Sequence, residues 1–196
     1  MHIYQLKTSR LLLRQWQKTD LPTFIQLNAD SEVMRYFPNL LTAEESIDLA
    51  ERFKTIIAQN GWGFWAVELK ATGQFIGFVG LNAQPDKFSF SPCVEIGWRI
   101  ASEFWHQGYA TEAAHACLNF AFHTLKLKEI VSFTAKQNQP SKKVMQRLAM
   151  KFSHSFDHPA LNNESPLQQH VLYKINDEQF STLKNINGHY TPKKSR

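Results

Sequence analysis

The stretch Ile96-Gly97-Trp98-Arg99-Ile100, followed four residues later by Trp105-His106-Gln107-Gly108-Tyr109-Ala110-Thr111-Glu112-Ala113, decides the fold of this chain of 196 residues. The first part has the pattern of a strand, and the second opens a helix after a short loop with one glycine. A helix that starts at such a loop points unpaired N–H groups and its positive dipole end into the loop. The stretch predicts either a phosphate site or an ordinary strand–loop–helix connection.

The helix after this loop carries small apolar residues at helical spacing. They are Ala113, Ala114, Cys117, Leu118, Ala121, Phe122 and Leu125. Small side chains allow the helix to lie close to a sheet, and Gly108 lets a bound group approach the backbone without meeting a Cβ atom. The chain contains no G-x-x-x-x-G-K-[ST] motif, and the loop has a single glycine, so neither a Walker A loop nor a dinucleotide-binding loop is expected.

Length and composition indicate one domain. The hydrophobic fraction of 43% and fifteen phenylalanines supply a core, and the net charge of +5 is spread along the chain. A spread charge suits a polyanionic small ligand, and we expect no nucleic-acid partner. The two cysteines form neither a disulfide framework nor a metal cluster, so no metal is expected. With no signal-peptide pattern and no membrane-spanning apolar run, we expect no membrane contact and a cytoplasmic protein.

Strands and helices alternate along the chain. Strands are predicted at Ser9–Arg14, Phe64–Leu69, Gln74–Leu81, Ser91–Ile100, Glu129–Lys136, Phe152–Phe156 and Gln168–Ile175. Helices are predicted after Asp20, after the capping box that starts at Thr42, after Gly108 and over Pro140–Ala149. Residues after Asn176 are polar. This order predicts an α/β (α+β) fold with one mostly antiparallel sheet, a domain over residues 1–176 and a polar tail over 177–196.

The W-x-x-G-Y-A-T-E-A run at Trp105–Ala113 resembles the acyl-coenzyme A pyrophosphate loop of the GCN5-related N-acetyltransferases, the GNAT superfamily, and in particular its RimJ/RimL-type branch. The resemblance covers roughly residues 8 to 175. It implies a single twisted sheet flanked by helices, with central strands that splay at the cofactor site, and acetyl-coenzyme A (acetyl-CoA) as cosubstrate. Asn138-Gln139-Pro140-Ser141 resembles the family's N-x-x-S at the end of a strand, although turn and cap chemistry would give the same residues.

These matches imply a set of cofactor-binding residues. They are Trp98, Ile100, Trp105, His106, Gln107, Gly108, Tyr109, Ala110, Thr111, Asn138 and Ser141. Two positions depart from the wider pattern. His106 stands where glycine is frequent, and Ala149 replaces the glycine of the family's L-G-[MF] segment. Trp105 differs from the Gln or Arg of many GNAT proteins but agrees with the RimJ/RimL-type branch.

Acetyl transfer to an amine requires an unprotonated acceptor nitrogen and a proton for the leaving thiolate. Freeing a lysine amine at pH 7.5 costs about 4 kcal/mol, whereas an α-amine costs a few tenths of that. Glu95 is the candidate base, because a charged group on a covered strand needs a partner or a function. The alternative is an ion pair with Arg99 on the same face of the strand. The resemblance implies Ser141 as donor to the leaving thiolate. Glu112, in the first turn of the helix, is expected to be structural.

The sequence thus predicts an acetyl-CoA-dependent N-acetyltransferase that works by direct transfer in a ternary complex. The acceptor is a primary amine, either a protein N-terminal α-amine or a small molecule such as an amino acid, a polyamine or a drug. A binding module that senses acyl-CoA without turnover is the alternative from another class. The resemblance leaves a homodimer open.

Overall fold

The computed structural model describes residues 2–186, which form one eight-stranded sheet flanked by five helices. The strands are β1 (Leu6–Lys7), β2 (Leu11–Arg14), β3 (Phe64–Leu69), β4 (Phe75–Gln84), β5 (Cys93–Ile100), β6 (Glu129–Ala135), β7 (Lys151–Asp157) and β8 (Gln169–Asn176). The helices are α1 (Leu21–Ala29), α2 (Ala43–Asn60), α3 (Tyr109–His123), α4 (Gln139–Arg147) and α5 (Asp177–Ile186). Within these residues no helix is both long and apolar enough to cross a bilayer.

The sheet has the strand order β1-β2-β3-β4-β5-β6-β8-β7. Each neighbouring pair of described strands is antiparallel except β5 and β6, which run parallel. The predicted fold class, a mostly antiparallel sheet flanked by helices, is therefore confirmed.

Helices cover both faces of the sheet, as two adjacent residues of β3 show. The Phe64 ring contacts Phe53 of α2, with centroids 5.0 Å apart, whereas the Trp65 ring contacts Phe120 of α3 at 5.5 Å. Because successive side chains of a strand point to opposite faces, α2 covers one face and α3 the other. Burial of these aromatic side chains supplies much of the hydrophobic stabilisation of the core.

Most predicted elements are present with ends shifted by one to three residues. The capping box of α2 is confirmed, because Thr42 Oγ1 accepts from the Glu45 N–H at 3.1 Å and Glu45 Oε2 accepts from the Thr42 N–H at 2.8 Å. Asp20 precedes α1 as predicted, but its side chain makes no cap bond and pairs with Arg14 instead. β1 was not predicted, since two residues are too few for a periodic pattern.

The segment predicted as a polar tail begins with a helix. α5 starts at Asp177, and Phe180 of this helix is fully buried against Phe122 of α3, with ring centroids 5.4 Å apart. Asn176 and Gln179 exchange side-chain and backbone hydrogen bonds at 2.8 and 3.0 Å, which caps the helix. Residues 177–186 of the predicted polar tail thus form a helix, and residues 187–196 lie outside the described part. The division of the chain at residue 176 stays a prediction.

The two parallel strands of the centre separate shortly after they meet. β5 and β6 pair at Glu95 and Val131, and the Ser132 hydroxyl donates to the Ile96 carbonyl at 2.9 Å. Beyond this point no further backbone pairing joins the two strands within the described chain. The predicted splay of the central strands is present, and it opens a gap beside the second half of β5.

Candidate active site

The first turn of α3 and the loop before it contain a row of unpaired backbone donors. α3 starts after Gly108, which has a φ of 82° and provides no side-chain cap. The first backbone N–H of this region with an acceptor is that of Glu112, which bonds the Gly108 carbonyl at 3.0 Å. Within the described chain, none of the six N–H groups from His106 to Thr111 makes a hydrogen bond. Six free donors at the positive end of a helix dipole have the geometry that binds an anion in other proteins.

The backbone of this loop is partly strained. His106 has a φ of 63°, a left-handed conformation that glycine adopts more easily, which accounts for the glycine found here in many relatives of the motif. A Cβ atom at Gly108 would lie 3.6 Å from Nη2 of Arg10, whose guanidinium lies 4.4 Å from the Tyr109 ring centroid. Arg10 therefore places a positive charge beside the loop, and the sequence reading did not single it out.

Trp105 joins the loop to the end of β5. Its indole Nε1 donates to the Ile100 carbonyl at 2.7 Å, and its own N–H bonds the Ser102 carbonyl at 3.1 Å. The Trp105 N–H is thus already paired, and the side chain orients the loop. Gln107 also bonds within the loop, through its Nε2 to the Glu103 carbonyl at 3.3 Å. Roles of Trp105 and Gln107 in cofactor binding stay predictions.

The second half of β5 presents free backbone groups to the gap between the strands. The Ala101 N–H bonds the Ile76 carbonyl of β4 at 3.0 Å, so the N–H of Ile100 points away from β4. Because the backbone N–H and C=O groups alternate in direction along a strand, those of Trp98 and Ile96 also point away from β4. The Ile96 carbonyl indeed accepts the hydrogen bond from the Ser132 hydroxyl on that side. The N–H and C=O of Trp98 and the N–H of Ile100 can therefore pair with an extended ligand.

Asn138 and Ser141 lie at the start of α4, directly after β6. The Asn138 side chain accepts from the Ser141 N–H at 3.1 Å and donates to the Thr134 hydroxyl at 2.9 Å, so it caps the helix. The Ser141 hydroxyl makes no hydrogen bond to any described residue. Since β5 and β6 are parallel, their following segments lie at the same end of the gap, which brings the α4 start towards the loop before α3.

Glu95 and Arg99 do not pair with each other, so that alternative is wrong. Glu95 Oε2 accepts from Gln84 Nε2 at 2.8 Å, while Arg99 Nη1 donates to Asn28 Oδ1 at 2.6 Å. The reason is length, because four residues of strand separate two Cα atoms by about 13 Å. Burial raises the pKa of the Glu95 carboxyl above its ordinary value, although the hydrogen bond from Gln84 opposes this. A raised pKa suits a proton acceptor.

Glu112 is structural, as expected. Its carboxylate accepts four hydrogen bonds, from the Thr8 and Ser9 hydroxyls and from the backbone N–H and Nε of Arg10, at 2.6 to 3.0 Å. Burial would raise the pKa of Glu112, but the hydrogen bonds from Thr8 and Arg10 outweigh it and lower the pKa. These bonds fix the chain before β2 to the first turn of α3.

The segment with Ala149, which corresponds to the family's L-G-[MF] segment, has the backbone conformation that glycine favours. Ala149, where glycine is usual, adopts a φ of 55° at the end of α4, and the Met150 N–H bonds the Met145 carbonyl at 3.0 Å. This is a left-handed helix end, which explains the preference for glycine. The substitution leaves the local backbone unchanged and lies away from the gap.

Two further residues of the site were missed by the sequence reading. Asn28 of α1 is fully buried, and its side-chain oxygen accepts a hydrogen bond from Arg99 Nη1. The Phe37 ring lies against the Arg99 guanidinium, with Cζ 4.1 Å from the ring centroid. An asparagine at the buried end of the α1 apolar stripe was the available signal for this contact. Among the described residues, no group of three or more His, Cys, Asp or Glu side chains is arranged to hold a metal.

Comparisons with known proteins agree with this geometry. A family profile described as an acetyltransferase (GNAT) domain matches residues 10–151. An uncharacterized N-acetyltransferase of Bacillus subtilis, YnaD, is 30% identical over 152 residues, which are 77% of this chain and 83% of YnaD. The FsC-acetyl coenzyme A-N(2)-transacetylase of Aspergillus fumigatus is 28% identical over 187 residues, 89% of this chain and 77% of that protein. The crystal structure of a GNAT-family acetyltransferase from Bacillus anthracis has a TM-score of 0.76 at 25% identity, covering 89% of this chain and 99% of that one.

Proposed function

The chain belongs to the acetyltransferase (GNAT) family, whose acyl donor is acetyl-CoA, and we propose that it transfers the acetyl group directly to a primary amine in the manner of the RimJ/RimL-type branch. The observation that carries this proposal is the row of six unpaired N–H groups from His106 to Thr111, next to a gap between β5 and β6. A pyrophosphate requires such donors, and an extended pantetheine arm requires free strand groups.

In this proposal the loop and the strand hold the donor. The N–H groups of His106, Gln107, Gly108, Tyr109, Ala110 and Thr111 bind the pyrophosphate. Arg10, whose Nε is paired with Glu112, adds a hydrogen bond from Nη2, which lies beside Gly108. The free groups of Trp98 and Ile100 pair with the pantetheine arm. Acetyl-CoA supplies the activated acyl group, and the protein positions its thioester where β5 and β6 separate.

Glu95 and Ser141 carry the proton chemistry in this proposal. Glu95 accepts a proton from the acceptor amine, directly or through a water molecule, and its raised pKa supports this role. The Ser141 hydroxyl, which is unpaired among the described residues, donates a hydrogen bond to the departing sulfur as charge develops there. Asn138 holds the start of α4, and thus Ser141, in place.

The cysteines support direct transfer over a covalent enzyme intermediate. Burial raises the pKa of Cys117, which is fully buried in α3, and burial together with the charge of Glu95 raises the pKa of Cys93. A thiol with a raised pKa is mostly protonated at neutral pH and is a poor nucleophile. Cys93 and Cys117 are the two cysteines of the chain.

The acceptor we propose is a protein N-terminal α-amine, which agrees with the branch that the Trp105–Ala113 motif resembles. An α-amine near pKa 7.7–8.0 loses its proton easily, so a single shielded carboxylate is a sufficient base. A small-molecule amine is the second candidate. It is supported by the name of the Aspergillus fumigatus relative, an acetyl coenzyme A-N(2)-transacetylase.

A thiol-release assay with acetyl-CoA tests the proposal. The acceptors are a set of short peptides with free N-termini, the same peptides with acetylated N-termini and one internal lysine, and a panel of amino acids and polyamines. We expect thiol release that requires an acceptor and is faster with free N-termini than with lysine alone. Release that no acceptor stimulates, from a protein that binds acetyl-CoA, would instead identify an acyl-CoA sensor.

A further inference from the structure

Arg99 is a buried cation without an anionic partner. The residue is 9% exposed, and no carboxylate of the described residues lies within ion-pair distance of its guanidinium. Burial lowers its pKa to about 10, as expected for a charge removed from water without compensation. Such an uncompensated charge is costly, and proteins keep one where an anion arrives to pair with it.

Arg14, the other buried arginine among residues 2–186, shows the contacts of a structural arginine. Arg14 is 5% exposed, and its Nη1 and Nη2 donate to the two carboxylate oxygens of Asp20 at 2.8 Å, while its Nε donates to Glu68 at 2.6 Å. Each of the three guanidinium nitrogens of Arg14 thus donates to a carboxylate. Arg99 has one neutral partner, Asn28, through Nη1.

The unpaired atoms of Arg99 lie on one edge of the guanidinium. Nε is buried and has no hydrogen-bond partner, and Nη2 donates to none of the described residues although it is not fully buried. The Nε–Nη2 edge matches the two oxygens of a carboxylate, which it binds with two parallel hydrogen bonds. The ring of Phe37, stacked 4.1 Å from Cζ, covers the face of the guanidinium and leaves the edge free.

Arg99 lies on the same face of the sheet as Glu95, the proposed base for the acceptor amine. Arg99 pairs in register with Phe78, whose ring contacts Phe24 of α1 and Phe53 of α2, so its side chain points to the α1–α2 face. Glu95 lies on the same face, because four residues separate the two. The loop before α3, where the phosphates of the donor are proposed to bind, belongs to the helix on the other face.

We propose that the Nε–Nη2 edge of Arg99 binds a carboxylate of the acceptor, so that the acceptor is an amine with a carboxylate a few bonds away. This inference rests on the acceptor site proposed above. The residue Gly97 lies between Glu95 and Arg99, about 7 Å along the strand from each. The Phe64 ring lies against Gly97 on this face, because a Cβ atom at Gly97 would be 3.2 Å from it. An amine placed over this ring has its base on one side and its carboxylate receptor on the other. An N-terminal acidic residue and a free amino acid both satisfy this chemistry.

Matched acceptors test the inference on the unmodified protein. The first pair is a peptide that begins with Glu and the same peptide that begins with Gln, both with amidated C-termini; the second is a free amino acid and its primary amide. Binding is measured by calorimetry on protein saturated with coenzyme A, and turnover by thiol release. We expect the carboxylate member of at least one pair to bind about tenfold or more tightly, and the pair that discriminates identifies the source of the carboxylate.

Substitutions link the preference to Arg99. Arg99→Lys keeps the charge but lacks the two-donor edge. It should reduce the preference to about threefold or less, by raising KM for the carboxylate acceptor more than KM for the neutral one. Arg35→Gln, an exposed arginine of the segment between α1 and α2, is the control and should keep the full preference.

Three results are decisive. Equal affinity of the wild-type protein for both members of both pairs would overturn the inference. A weaker affinity of Arg99→Lys for coenzyme A, with no change in acceptor preference, would assign the edge to a phosphate of the donor and would also overturn it. A carboxylate preference in binding without any turnover would support the inference while contradicting the proposed function.

Discussion

The helices α2 and α3 begin in opposite ways. At the start of α2, Thr42 and Glu45 exchange hydrogen bonds with each other's backbone, and the first turn is closed by its own side chains. At the start of α3, Gly108 provides no side chain, and the six N–H groups from His106 to Thr111 are unpaired among the described residues. Both helices have the same backbone geometry and dipole. The difference supports a stabilising role for the start of α2 and agrees with the proposed pyrophosphate site at the start of α3.

The same contrast separates two carboxylates. Glu112 accepts four hydrogen bonds from the residues before β2, whereas Glu95 interacts with two neutral amide side chains, those of Gln84 and Asn82. Their pKa values move in opposite directions, with Glu112 lowered and Glu95 raised. A saturated carboxylate holds two elements together, and an unsaturated, shielded one is available to take up a proton.

The largest effect is expected for Gly108→Val. A β-branched residue at a φ of 82° forces the loop to shift, and the N–H groups then miss the pyrophosphate. The loss of two charge-assisted hydrogen bonds predicts a Kd for coenzyme A on the order of a thousandfold weaker, measured by calorimetry. Gly73→Val is the matched control, since Gly73 has a φ of 71° in the turn between β3 and β4 and a Cβ atom there would meet no atom within 4 Å. Equal affinities in both variants would remove the loop from the site.

Glu95→Gln should lower kcat about a hundredfold to a thousandfold and leave the affinity for coenzyme A unchanged. The loss should be greater for lysine acceptors than for α-amines. Glu95 acts as a base in its ionised form, and its pKa is raised. The wild-type kcat/KM should therefore begin to fall, as the pH is lowered, at a pH above the ordinary Glu pKa of about 4.3. Glu129→Gln, at an exposed ion pair of β6, is the control. A mutant profile that matches the wild type from pH 6 to 9 would exclude Glu95 as the base.

Ser141→Ala should lower kcat on the order of a hundredfold with little change in Tm, because Asn138 and not Ser141 caps α4. Asn138→Ala provides the contrast, and we expect it to lose about 1 kcal/mol of unfolding free energy. Thermal melting and steady-state kinetics on both variants check this. A lower Tm for Ser141→Ala with unchanged kcat would make its hydroxyl structural.

The smallest effect is expected for Thr42→Ala, which removes the bond to the Glu45 N–H from the start of α2. It should cost about 1 kcal/mol, equivalent to about 2–4 °C in Tm for a chain of this size. The Thr42→Ala variant should bind coenzyme A with the same Kd as the wild-type protein, as measured by calorimetry. A weaker Kd would indicate that the two helix starts are not functionally separate.

Local sequence predicts the parts of this fold that local contacts determine. The loop before α3, the α2 capping box and the order of strands are all readable from spacing. Glu95 was placed on the correct strand, yet its partner Gln84 is eleven residues away across a hairpin and carries no local signal. Arg99 is similar, since Asn28 is seventy-one residues away. The helix α5 was not predicted, although the reciprocal Asn176–Gln179 cap was readable and Phe180 supplies a buried anchor.

The central claim is that the free N–H groups before and within the first turn of α3 bind the pyrophosphate of the donor. Amide chemical-shift changes in a ¹⁵N-labelled protein test this directly, with coenzyme A and with pantetheine, which lacks the phosphates. We predict large shifts for the amides of His106–Thr111 with coenzyme A and small ones with pantetheine, while Ala43–Glu45 of α2 stay unchanged with both. Unchanged His106–Thr111 amides in protein saturated with coenzyme A would contradict the account.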